Sequence, residues 1–102
     1  MAEERRGILI SAGKFKDVFV VPDEFTGRDI KDFRGEFGFA PALVFMDNSN
    51  ADLDVLAGLV WLVERKRKRD LTLDDVLDEI TYENVDADWG ATDPSGDDDP
   101  EG

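Results

Sequence analysis

The sequence predicts a mostly helical α+β domain: a short N-terminal β-hairpin, then three to four helices, then a disordered acidic C-terminal tail. Three observations carry this reading. β-forming residues on either side of Gly13 fill the stretch up to Val21. Apolar residues then recur at helical spacing from Phe25 to Ile80. The excess charge is confined to one end. The 102 residues hold 25 Asp and Glu against 12 Lys and Arg, a net charge of −13. Residues 1–69 contain all 12 bases and 12 of the acids, whereas residues 70–102 contain 13 acids and no base. The expected organisation is a flexible arm at 1–6, a small domain at 7–81 and a largely disordered tail at 82–102.

The hairpin is read from Ile8-Leu9-Ile10, a turn at Gly13, and Phe15 to Val21, with Pro22 ending the run because it cannot donate to a ladder. A first helix starts at Thr26 as N-cap. Asp29 stands at N3, and Phe25 and Ile30 sit at the positions of a hydrophobic staple. Ile30, Phe33 and Phe37 share a face, and Gly38 is suited to the left-handed stop. Phe39 to Met46 fits either a short helix opened by Pro41 or an extended run; the reading adopted is a short buried helix.

Asp47-Asn48-Ser49-Asn50 marks a turn, and the main helix is expected over Ala51 to Lys68. No residue from Val55 to Val63 is polar. A helix apolar nearly all round is either central to a core or covered by a partner. In so small a domain, the expectation is that part of this surface meets another molecule. The candidate partner-binding residues are Val55, Leu59, Trp61, Leu62 and Trp89, with core packing the competing role for Trp61. Arg65 to Arg69 is read as compensation of the helix dipole, with pairing to Asp70, Asp74 and Asp75. A last short helix opens at Thr72, with Asp75 at N3 and Leu73, Val76, Leu77 and Ile80 on its apolar face. Beyond Thr81 the helical pattern dissolves, leaving Tyr82, Val85 and Trp89 as anchors onto the body.

Composition removes several function classes. The chain has no Cys and no His, so thiolate nucleophiles, Ser-His-Asp triads and imidazole or thiolate metal sites are excluded. The acids at 93, 97, 98 and 99 lack calcium-loop spacing, and no phosphate-cradling glycine motif is present. No enzymatic activity, cofactor or metal is expected. Free nucleic acid is not an expected partner of so acidic a chain. No apolar run reaches the length of a secretory or membrane-spanning segment, so a cytosolic location is expected and no membrane partner.

The order of features from about residue 23 to residue 89 resembles the tail assembly chaperones of long-tailed, siphovirus-type actinobacteriophages. The resemblance is carried by a helix ending in Phe37-Gly38, the Asp- and Asn-rich turn, the run Asp52-Leu53-Asp54-Val55-Leu56-Ala57-Gly58-Leu59-Val60-Trp61-Leu62-Val63, a basic stretch at Arg65, and Leu71-Thr72-Leu73-Asp74-Asp75-Val76. The five-residue basic run is heavier than the family pattern. The resemblance implies a helper that binds the tape measure protein, keeps it soluble and helps recruit tail tube protein. It also implies action in the host cytoplasm and absence from the mature virion. The competing expectation is a small acidic adaptor or inhibitor that self-associates or binds a basic protein surface.

Overall fold

The structure, a computed structural model, describes residues 6–47, 49 and 51–92. Its elements are β1 (Arg6–Ala12), β2 (Phe15–Val20), a single 3-10 turn at Pro22–Glu24, α1 (Gly27–Phe37), α2 (Ala42–Met46), α3 (Leu53–Glu64), α4 (Leu73–Leu77) and β3 (Asp86–Thr92). The result is a small α+β domain with a three-stranded antiparallel sheet and four helices.

The sheet has the order β2-β1-β3, which makes the N-terminal strand the central one. Alternation along β1 sends Ile8, Ile10 and Ala12 into the core, where they join Phe15, Val18 and Val20 of β2. Leu9 and Phe19 pair on the opposite face and are half-buried. Both edge strands carry an irregularity. In β2 the register shifts opposite Ser11, where Asp17 adopts a left-handed φ of 52° and donates its N–H to Ser11 Oγ at 2.9 Å. In β3 the shift falls at Gly90, φ 74°.

Both predicted N-caps are capping boxes. Thr26 Oγ1 accepts the Asp29 N–H at 3.1 Å while Asp29 Oδ2 accepts the Thr26 N–H at 3.0 Å. Thr72 and Asp75 repeat the arrangement at 3.2 and 3.0 Å. Gly38 closes α1 in the left-handed region, and its N–H donates to the Arg34 carbonyl. Helix α3 lies against β2, α1 and α4. Gly58 is the point of closest approach, because a Cβ there would lie 2.7 Å from Phe37 Cζ and 3.1 Å from Phe33 Cε2.

Four expectations are corrected. First, α3 is shorter than Ala51 to Lys68. Asp52 caps its start through the Leu53 N–H at 2.8 Å, and the helix stops at Glu64. Consecutive like charges crowd at helical spacing from Arg65 onward, and the chain turns there instead. Second, α2 is helical but not buried throughout. Pro41 and Val44 are buried, whereas Leu43 and Met46 are exposed. Third, the expected tail from residue 82 begins too early, since β3 pairs with β1 over Arg6 to Ser11. Residues 93–102 of that tail lie outside the described residues, as do residues 1–5 of the expected arm; Arg6 belongs to β1. Fourth, the chain does surround its apolar helix. Val55 to Val60 and Leu62 are all buried by the sheet, α1 and α4.

Candidate interaction surface

The five residues expected to meet a partner separate into three groups. Leu59 and Leu62 are 0% exposed and Val55 is 5% exposed, so all three belong to the domain's own core. They offer no surface to a partner. A small sheet on one side and two helices on the other are enough to cover them.

Trp61 is half-buried at the end of α3. Its Nε1–H donates to the Leu71 carbonyl at 3.2 Å, and the Arg65 guanidinium stacks on its ring at 4.6 Å from the centroid. Arg65 also makes a pair of ionic bonds. Its Nη2 donates to Asp29 Oδ1 at 2.6 Å and its Nη1 to Asp32 Oδ2 at 2.8 Å. Lys66 adds its Nζ at 3.6 Å from Asp29 Oδ2 and donates to the Glu24 carbonyl at 3.2 Å. Asp29 is 3% exposed. Burial pushes its carboxyl up, but the Arg65 hydrogen bond, the Thr26 N–H and the charges of Lys66 and Arg65 outweigh that and hold it below the usual carboxylate range. Burial alone would lower the Arg65 value; Asp29 and Asp32 raise it.

The start of the basic run is therefore structural. It fastens the end of α3 to the start of α1 through Asp29 and Asp32. Of the expected acids, Asp75 is held low first by its bonds with Thr72 and then by the charge of Lys68. Arg67, Lys68 and Arg69 remain exposed beyond it. In the sequence, Asp29 shows only its place at N3 of a capping box. Its carboxylate has two oxygens, and the box uses one.

Trp89 is the expected residue that stays on the surface, 36% exposed on β3. The structure brings it to residues that the sequence did not single out. Trp89 and Gly90 of β3, Gly7 and Ile8 of β1, Phe45 and Met46 at the end of α2, and Asp47 just after it line one groove of about 430 Å³. Met46 is 79% exposed, and Leu43, one turn before it on α2, is exposed as well. Phe45 lies edge-on to Phe25, with centroids 6.4 Å apart, which fixes the floor of this end of the domain. The Trp89 indole N–H has no hydrogen-bond acceptor among the described residues. The i, i+3 spacing of Leu43 and Met46 was the available signal in the sequence: α2 has one buried face, and these two lie off it.

A second, smaller recess of about 280 Å³ is lined by Asp52, Leu53, Asp54, Leu77, Ile80 and Tyr82. Tyr82 is exposed, and its hydroxyl donates to Asp52 Oδ1 at 2.8 Å. That bond and the Leu53 N–H lower the Asp52 carboxyl. Among the described residues no cluster of three or more acids is placed to hold a metal ion. No helix among them is long and apolar enough to cross a membrane.

Compared with protein-family models, curated proteins and solved structures, the chain matches none.

Proposed function

We propose that this chain is a tail assembly chaperone of a long-tailed actinobacteriophage. It binds the tape measure protein, keeps it soluble in the host cytoplasm, helps recruit tail tube subunits, and does not remain in the virion. It works by binding, without catalysis. The observation that carries the reading is the Met46–Trp89 groove, where an exposed methionine and an exposed tryptophan line one recess. Met is an adaptable contact residue, and Trp with a free N–H combines apolar area with a hydrogen-bond donor. Together they suit apolar helical segments of varied sequence, which is what a long client presents. The acidic excess of the chain adds net charge to the complex and opposes precipitation. The family itself enters through the resemblance of residues 23 to 89.

The test is co-expression with the tape measure protein of the same genome, followed by size-exclusion chromatography with light scattering. A soluble complex is expected with the native chain, and its loss is expected with Met46→Asp. That position is mostly solvent-exposed, so the variant keeps its circular dichroism spectrum. Tape measure precipitating beside free native protein refutes the reading. Elution of the protein alone as a stable dimer favours the self-associating adaptor.

A further inference from the structure

Strand β3 is an edge of the sheet: one side pairs with β1, and among the described residues no loop backbone group bonds to the other side. The two edges of this sheet are not alike. On β2 the ladder is broken within the strand, where Asp17 turns left-handed and its N–H is taken by Ser11 Oγ. A bulge of that kind spoils an edge as a template. On β3 the irregularity, at Gly90, also lies within the strand, but four residues pair regularly before it, against three, Val18 to Val20, on β2. From Asp86 to Trp89 the strand pairs without interruption with Ser11, Ile10, Leu9 and Ile8. Of these four residues of regular extended backbone, two bond to β1 and the alternate two turn their N–H and C=O groups outward, the requirement for adding a strand.

The side chains state which strand fits. Asp86 and Asp88 stand on the outer face of the sheet, opposite Ser11 and Leu9, and both are exposed. Neither has an ion-pair partner among the described residues. Ala87 and Trp89 stand on the inner face, opposite Ile10 and Ile8. A strand laid along β3 places its own side chains alternately beside these two sets. Opposite charges side by side on one sheet face are favourable, and like charges are unfavourable. A second copy of β3 would set Asp against Asp on the outer face, which disfavours self-pairing through this edge. A strand with Lys or Arg at every second position and apolar residues between them matches both faces.

We propose that the β3 edge captures an extended segment of another protein in which basic and apolar residues alternate. This edge adjoins the groove, and Trp89 belongs to both, but the inference does not depend on the tail assembly reading. The probe is a capped Lys-Val-Lys-Val-Lys-Val peptide added to the isotope-labelled full chain. Hydrogen exchange and chemical shifts of the amides at 86–89 are followed by NMR. Saturating peptide is expected to slow exchange of the outward amides at least tenfold. A Glu-for-Lys peptide and a peptide N-methylated on its strand-facing amides are each expected to bind at least tenfold more weakly. The double variant Asp86→Lys/Asp88→Lys is expected to lose the Lys peptide and gain the Glu peptide, a swap that an unfolded variant cannot give. Met46→Asp is expected to leave peptide affinity unchanged. No slowing at 86–89, equal binding of the N-methylated peptide, or loss of binding in Met46→Asp each overturns the proposal.

Discussion

Replacing Arg65 by Met isolates the contact that joins α1 to α3. The native Asp29 side chain is 5% exposed and Arg65 18% exposed, so their 2.6 Å bond is shielded from solvent. The bond to Asp32 is more open, at 31% exposure of that side chain, and contributes less. Breaking a buried pair by removing one partner costs about 3–5 kcal/mol, because the other charge stays behind. Here Asp29 keeps the Thr26 N–H at 3.0 Å and Lys66 at 3.6 Å, which lowers the expected loss to about 2–3 kcal/mol. For a domain near one hundred residues each kcal/mol moves the midpoint by roughly 4–8 °C, so Tm falls by about 10–20 °C. The pH dependence has a definite sign. The folded Asp29 carboxyl titrates below its unfolded value, so its contribution is fully present above the unfolded pKa and is lost as pH falls through the folded one. In Arg65→Met the folded value rises and the loss begins at higher pH. Once Asp29 is protonated in both proteins, the remaining difference between their stabilities narrows. Urea denaturation at pH 7 and at stepped acid pH reads both effects. A loss under about 0.5 kcal/mol at neutral pH, or a difference that widens in acid, would show that the pair does not fasten these helices.

Two further substitutions test packing and backbone. Gly58→Ala inserts a methyl 2.7 Å from Phe37 Cζ and 3.1 Å from the fully buried Phe33 ring. Overpacking of about 1–3 kcal/mol outweighs the roughly 1 kcal/mol gain in helix propensity, so urea midpoints should fall; a more stable variant contradicts the close approach of α1 and α3. Asp17 holds a left-handed φ of 52°, so Asp17→Gly should raise Tm by a few degrees and Asp17→Val should lower it. The same ordering of the three proteins is expected in urea, and a Val variant as stable as the native chain removes the bulge from β2.

The helices were legible where the chain marks their ends chemically. Thr26 and Thr72 each stand three residues before an Asp, and Gly38 follows the last apolar residue of α1; local hydrogen bonding decides such positions. The third strand was hidden because its local chemistry argues against it. Asp86, Asp88 and Gly90 are poor strand formers, and the acids give the segment the composition of a tail. Yet Val85, Ala87 and Trp89 alternate with Asp86 and Asp88, the period of a half-buried strand. The pairing with β1 decides the outcome, and no local signal reports a partner about eighty residues away. The partner-contact residues failed for a related reason. Periodicity identifies which residues shun water, not what shields them. Leu59 and Leu62 are shielded by this chain itself, whereas Leu43, Met46, Tyr82 and Trp89 are the large apolar residues left exposed among the described ones.

The placement of β3 also explains why Met46 and Trp89 share one groove. β1 has neighbours on both sides, and β3 can cover Ile8 and Ile10 only by setting Trp89 and Ala87 opposite them. Trp89 stands at the end of the regular pairing, just before Gly90 turns to φ 74° and the register shifts. Beyond that point the ring is no longer covered by a regular neighbour, and α2, only five residues long, reaches it with its last residues alone. A longer α2 would extend over the groove and close it. The groove is thus a consequence of a short helix ending beside a bulged strand. Both features cost local regularity: α2 lacks a side-chain N-cap, and β3 gives up ladder continuity. Such local concessions are a mark of surfaces used for binding rather than for folding. On that ground the groove and the adjoining strand edge, rather than the apolar centre of α3, are the surfaces we propose for contact with other molecules.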